Sequence, residues 1–220
     1  MNKDWTGNSN SVYKTLGASN HTEEDREEND YYATDPKALE ALLKVETFSH
    51  KIWEPAVGGG HLANVLKDNN YLVKCSDIVD RGYDNTKIID FLYFNGDWNF
   101  DIITNPPYSK AIPFLYKGMS ILKDNCRFAM LLKVQFLEGG KRGVLFERYK
   151  PEKIYIFCDR VECAKNGNFL GGSAVAYAWY IWKKGYTGVT TIDWLWKDEN
   201  KYNKSYDDLN KELNKYDIIN

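Results

Sequence analysis

Asn105, Pro106, Pro107 and Tyr108 put an amide, two rings without N–H groups and a phenol in consecutive positions, directly after the run Asp101-Ile102-Ile103-Thr104. Prolines cannot continue a strand ladder, and a residue before proline is pushed into extended backbone. The chain is therefore expected to leave a sheet rigidly at Asn105, presenting the amide and the Tyr108 ring at the exit. The Asn105 side-chain oxygen and the Pro106 carbonyl are two acceptors on one stiff turn. Such a pair can take both hydrogens of a planar conjugated amine and hold its nitrogen toward an electrophile, so that alignment and electrostatics carry an in-line transfer. The exocyclic amine of adenine and the side-chain amide of glutamine both pose this problem. Tyr108 offers a face on which a base can stack once it has left a duplex.

A second constellation lies upstream. Glu54-Pro55-Ala56-Val57-Gly58-Gly59-Gly60-His61 sits between a short apolar run and a helical pattern. Glycines there let backbone N–H groups approach a ligand and permit positive φ. Asp77 follows Gly58 by nineteen positions, where an acid at a strand end can accept hydrogen bonds from ribose hydroxyls. The glycine run lacks the Gly-x-Gly-x-x-Gly spacing of pyrophosphate loops, and no Gly-Lys-Ser/Thr is present. Glu54 would repel a phosphate but suit an ammonium group. These features favour S-adenosylmethionine over NAD or ATP.

Both constellations need a scaffold, and the order of elements supplies one. Pro36 opens a helix capped by Thr34 or Asp35. Strands are expected at Lys51–Glu54, Tyr71–Ser76, Lys87–Ile89, Phe100–Thr104 and Cys126–Val134, with helices at His61–Asn69 and Ala111–Leu122 between them. Alternating strands and helices predict an α/β, Rossmann-like fold, a mostly parallel sheet with helices on both faces. Ligands of such sheets bind at the carboxyl ends of the strands, where the Gly58 turn, Asp77, Asp90 and Asn105 all fall. Lys153–Cys158 and Ala174–Trp182 read as a late antiparallel pair, and the aromatic run Tyr177-Ala178-Trp179-Tyr180 reads as core.

The totals bound the rest. The chain has 220 residues, 43% hydrophobic and 27% charged, enough for one core of ordinary size. Residues 1–30 carry three basic and seven acidic side chains and read as a polar arm; 31–196 read as the main domain, and 197–220 as a surface helix and tail. No run is long enough to span a membrane and the N-terminus resembles no signal peptide, so a cytoplasmic protein is expected. Cys75, Cys126, Cys158 and Cys163 form no Cys-x-x-Cys pair, and His21, His50 and His61 do not sit near them at zinc spacing. Buried thiols and no metal are expected. The net charge of −2 predicts no general attraction to nucleic acid but allows a local groove.

The two motifs in this order resemble the N6-adenine DNA methyltransferases, particularly the small phage and prophage kind with the gamma-like order, cofactor segment before catalytic motif. The likeness spans about residues 15–188. It implies that Tyr32-Ala33-Thr34-Asp35-Pro36 corresponds to the segment contacting the methionine part of S-adenosylmethionine, although Asp35 separates a Thr-Pro pair that is adjacent in the family. It implies that Glu54, Pro55, Ala56, Gly58 and Gly60 form the cofactor loop, that Asp77 and Ile78 receive the ribose end, and that Asp90 and Phe91 bond and stack the cofactor's adenine. Asn105-Pro106-Pro107-Tyr108 corresponds to the catalytic motif.

Double-stranded DNA with a flipped adenine is the implied partner. Lys141 and Arg142 in the 135–150 segment, and Arg160, Lys165 and Phe169 in the 159–172 loop, are candidate contacts, with Phe169 covering the second face of the base. RNA adenine, a protein glutamine, or a non-catalytic binder that kept the fold remain alternatives. Recognition sequence and oligomeric state are not legible.

Overall fold

The computed structural model describes residues 33–164 and 175–215. Tyr32, Lys165, Phe169 and the 1–30 arm lie outside the described residues. The first elements are β1 (Ala33–Thr34), α1 (Pro36–Val45), β2 (Lys51–Glu54), α2 (His61–Asp68), β3 (Leu72–Asp77) and β4 (Lys87–Ile88). They are followed by β5 (Asp101–Thr104), α3 (Ala111–Ile121), β6 (Arg127–Lys133), α4 (Gly140–Arg148) and β7 (Lys153–Phe157). The chain ends with β8 (Cys163–Ala164), β9 (Tyr177–Lys183), β10 (Thr191–Leu195) and α5 (Glu199–Asn214).

The main sheet runs β10-β7-β9-β6-β5-β2-β3-β4. All neighbours are parallel except β9, which pairs antiparallel with both β6 and β7. The expected α/β, Rossmann-like fold is therefore present, and the late antiparallel pair is β7 with β9. From β2 the chain builds outward through β3 and β4, then returns to lay β5 on the other flank of β2. That reversal opens a crevice at the carboxyl ends of β2 and β5.

Period-two alternation divides the strand side chains between the two faces. Ile52, Ile103, Leu131, Trp179 and Ile181 pack under α1 and α2 with Leu39, Leu42, Leu62 and Leu66. Trp53, Ile102, Phe128, Met130, Tyr180 and Trp182 pack on the opposite side with Phe114, Leu115 and Met119 of α3. The aromatic strand is core, and its indoles are satisfied: Trp179 donates to the Ala38 carbonyl at 2.9 Å and Trp182 to that of Tyr149 at 2.9 Å.

Four elements escape the sequence pattern. β10 pairs parallel with β7 at the sheet edge, but four of its five residues are exposed, so no apolar run marks it. β1 and β8 are two residues each, and only their mutual antiparallel pairing defines them. Helix α4 occupies part of the 135–150 segment, to which the sequence pattern assigns no element; Gly140 and Gly143 within it hide its helical character.

The amino ends of the strands carry a closed charge network. Glu46 is 7% exposed and accepts from the Tyr155 hydroxyl at 2.6 Å, Arg127 Nη1 at 2.9 Å and Lys153 Nζ. Asp101 accepts from the Ser49 amide at 2.7 Å and the Arg127 amide at 2.6 Å. Burial alone would raise the Glu46 carboxyl, but the bonds from Lys153 and Tyr155 and the Lys153 and Arg127 charges hold it below its ordinary 4.5. A carboxyl lowered in the folded state stabilises the fold above its unfolded pKa, and that stabilisation is lost as pH falls through the folded value. Glu46→Gln is expected to lower stability near neutral pH by about 3 kcal/mol and to flatten the acid limb of the stability curve. Urea unfolding across the carboxylate range tests this; identical pH slopes for both proteins would show that the network carries no linked proton.

Candidate active site

A cavity of about 550 Å³ fills the crevice. The Gly turn after β2, the ends of β3 and β4, and the Asn105 turn after β5 all contribute to its wall. Of the four strand-end groups singled out in the sequence, Asp77, Asp90 and Asn105 border it directly, while the Gly58 turn reaches it through Pro55, Ala56 and Val57 and not through Gly58 or Gly60 themselves.

The Gly turn takes its shape from left-handed backbone, with φ of 54° at Gly58 and 81° at Gly60. Gly60 is also packed: a Cβ there would lie 2.0 Å from the Tyr83 ring. That ring is held at its far end, its hydroxyl donating to Asn64 Oδ1 at 2.7 Å and accepting from Lys67 Nζ at 2.8 Å. Asp77 ties the turn to β3. Its Oδ2 accepts from the Gly58 amide at 2.8 Å and its Oδ1 from the Val79 amide at 3.2 Å. An ionised carboxylate has about four lone-pair positions, so it retains acceptor capacity toward the cavity.

Glu54 is 2% exposed and borders the cavity. Burial, and then the neighbouring Asp77 charge, push its carboxyl well above 4.5 against the opposing effect of the Ala63 amide and Lys67. Its Oε2 has no hydrogen-bond partner among the described residues. Burial lowers the pKa of the neighbouring His61, which also borders the cavity. Ile78, 51% exposed, borders the cavity beside Asp77.

At the far wall Asp90 Oδ1 accepts from the Leu92 amide at 2.9 Å and starts the short turn Phe91–Tyr93. Phe91 borders the cavity but is 2% exposed, with its ring edge-on to Trp53 at 5.3 Å and tilted against Phe114 at 4.9 Å. It is a core ring with access to the cavity rather than an open stacking platform. Tyr93, also on the wall, is 83% exposed.

Asn105 is half-buried. Its Nδ2 donates to Thr34 Oγ1 at 2.8 Å and reaches Cys163 Sγ at 4.0 Å. Its Oδ1 is buried and has no hydrogen-bond partner among the described residues. Tyr108 borders the cavity with its ring 5.9 Å from that of Tyr177 and with the Lys133 ammonium 5.2 Å from the ring centre. Burial raises its hydroxyl pKa well above 10, with the nearby Cys163 and Tyr177 adding to the shift. The ring belongs partly to the core, bridging the clusters on the two sheet faces.

The remaining candidates are dispersed. Lys141 and Arg160 are exposed. Arg142 turns inward, donating to the Gln135 carbonyl at 3.2 Å with its guanidinium 5.7 Å from the Phe136 ring centre. Sequence reasoning missed Arg81 and Lys110, which border the cavity, and the placement of Cys163. Lys110 could have been found by its position two residues after Tyr108; nothing local marks the other two.

No protein-family model matches the chain, and no curated protein matches it. Solved structures do match in fold. One, from Listeria monocytogenes, is assigned as a class I S-adenosylmethionine-dependent methyltransferase (TM-score 0.51, 12% identity, covering 84% of this chain and 70% of that one). Another, from Agrobacterium tumefaciens, is assigned as an O-methyltransferase (TM-score 0.54, 14% identity, 73% and 85% coverage). A third is a modification subunit assigned to a type I restriction enzyme of Vibrio vulnificus (TM-score 0.53, 14% identity, 84% and 50% coverage). This chain has the fold of the class I S-adenosylmethionine-dependent methyltransferases. Among the described residues, no helix is long and apolar enough to cross a membrane.

Gly60→Ala tests the rigidity of the turn. Left-handed backbone costs a residue with a Cβ about 1–2 kcal/mol, and the Tyr83 ring must also move. Lower stability in urea is expected, and a wild-type midpoint would show that the turn relaxes freely.

Proposed function

We propose that this chain transfers a methyl group from S-adenosylmethionine to the N6 amine of an adenine flipped out of double-stranded DNA. The observation that carries the reading is the side-chain oxygen of Asn105, a residue of the cavity wall: it is buried and has no hydrogen-bond partner among the described residues. A buried acceptor left unsatisfied costs about 1–3 kcal/mol, and a ligand that donates to it recovers that energy. An amine with two hydrogens is such a ligand, and the rigid Pro106-Pro107 pair holds the carbonyl of Pro106 close by in the chain for the second hydrogen.

The wall fits the cofactor on its own observations. Glu54 offers a carboxylate oxygen without a partner among the described residues to an ammonium group, Asp77 retains acceptor capacity for hydroxyls, and Pro55, Ala56 and Val57 of the turn line the wall beside them. Ala33, Ile78, Asp90 and Phe91 contribute further wall. When bound, S-adenosylmethionine supplies an electrophilic methyl group. Asn105 and Pro106 then orient the amine nitrogen, and the apolar wall excludes water. Tyr108 stacks the base, while Lys141, Arg160 and Lys110 meet phosphates. The likeness in fold to a restriction-modification subunit is compatible with a DNA substrate.

Expression in a methylation-deficient host followed by mapping of modified bases tests the reading. N6-methyladenine at defined sites is expected; unmodified DNA would overturn DNA as the substrate, leaving RNA adenine and protein glutamine to be assayed directly. Asn105→Ala should lose about 10²–10³ in rate, the usual effect of removing one preorganised group, while binding S-adenosylmethionine as wild type does. Turnover at the wild-type rate would sink the mechanism.

Glu54 predicts a pH dependence of binding. Its carboxyl is raised in the free protein, so it must lose a proton to pair with an ammonium group. Affinity for S-adenosylmethionine should rise with pH through that raised pKa, and calorimetry in buffers of different ionisation enthalpy should record proton release. In Glu54→Gln both effects should vanish. Release that persists in Glu54→Gln would assign the proton to another group.

A further inference from the structure

We propose that Thr34 is a positioning residue for Asn105, and that the β1–β8 strand pair serves as a clip holding the Asn105 amide in place beside the cavity. The inference rests on the amine-binding reading of the site, and it differs from the family resemblance, which places Thr34 against the cofactor.

A terminal amide can turn over at little steric cost, because its oxygen and nitrogen are similar in size. Chemically the two orientations are opposites. With oxygen toward the cavity Asn105 accepts from an amine; with nitrogen toward it, two N–H groups confront the amine's own hydrogens. Something must select the first orientation. Thr34 Oγ1 accepts from Nδ2 at 2.8 Å and Cys163 Sγ lies 4.0 Å from the same nitrogen. A hydroxyl and a thiol can each donate as well as accept, so these partners fix the place of the amide's inner end, and an amine in the cavity selects the oxygen for the outer one.

Thr34 and Cys163 are register partners across the clip. Two residues of strand on each side would be weak alone, and neighbouring contacts hold them. The Asp35 amide donates to the Glu162 carbonyl at 3.0 Å. Asp35 caps α1 by accepting from the Lys37 amide at 3.0 Å, and its other oxygen pairs with Lys197 where both side chains are about nine-tenths buried. Thr34 is 4% exposed, and a β-branched side chain has few χ1 options, so its oxygen is held in place. Tyr108 and Tyr177 both face the Cys163 sulfur with their hydroxyls. Both ends of the Asn105–Tyr108 motif are therefore seated on the same strand pair. The extra residue Asp35, between Thr34 and Pro36, is what makes this seat: it carries the cap, the backbone bond and the buried ion pair.

The test separates orientation from cofactor contact. Thr34→Val keeps shape and removes the acceptor. S-adenosylmethionine affinity by calorimetry should stay within about twofold, while the single-turnover rate at saturating cofactor and DNA should fall about tenfold, the value of one hydrogen bond. Thr34→Ser should restore the rate. The opposite split, weaker cofactor binding with an unchanged saturated rate, would overturn the proposal and return Thr34 to the cofactor. A second readout needs no activity. The side-chain NH₂ signals of Asn105, assigned by their loss in Asn105→Ala, should exchange slowly with solvent in the wild type and faster in Thr34→Val. Slow exchange in an enzyme that methylates no amine would support the clip and refute the proposed function. Fast exchange in the wild type would refute the clip.

Discussion

The site depends on where the chain turns back. β2 and β5 lie side by side and parallel, yet the elements that follow them build in opposite directions across the sheet. Among the described residues the chain parts at those carboxyl ends, so a crevice is an obligation of the topology. The groups argued to hold the cofactor and the amine stand on a strand end or the first turn beside it. Glu54 ends β2, Asp77 ends β3, and Asn105 follows β5 directly. The distances between them are set by strand spacing, and loops only trim the aim. A site built this way inherits the stiffness of a sheet whose central strands are packed on both faces.

The two ends of that sheet treat buried polar groups in opposite ways. At the amino ends Glu46 and Asp101 are surrounded by Arg127, Lys153, Tyr155 and the Ser49 amide, and the buried charge is compensated. At the carboxyl ends Glu54 and Asn105 each keep an oxygen without a partner. Unpaired buried acceptors are rare because they are costly. Their concentration on one wall, beside an apolar lining, marks the end of the sheet where the protein forgoes its own stability. The compensated end anchors the strands while the uncompensated end waits for donors.

Much of this was legible in the sequence because it followed from local patterns. Alternating strands and helices specified the sheet, Asn-Pro-Pro stopped β5, and the glycine run marked the turn after β2. The groups missed are those whose position depends on distant pairing. Cys163 looked like an ordinary buried thiol, because no local pattern reveals that its two-residue strand faces Thr34. Asp35 read as an interruption of a Thr-Pro pair, although Lys197, 162 positions away, makes it a fixture. Phe91 matched a stacking position by motif, yet Trp53 and Phe114 claim most of its ring. Arg142 looked free for phosphate because its carbonyl partner lies in the preceding turn. Edge strand β10 stayed hidden because its side chains lie mostly in solvent and carry no burial signal.

The bond between Asp35 and Lys197 joins a residue near the start of the fold to one beyond its last strand. A ribosome releases the first of these long before the second, and folding from the amino end can begin meanwhile. The Gly turn, Asp77 and the Asn-Pro-Pro turn can all assemble from residues already made. The seat of Asn105 cannot, since it requires β8 and then Lys197. The nascent chain can therefore form its crevice before the Asn105 amide is held, and the site is complete only with the last tenth of the described fold.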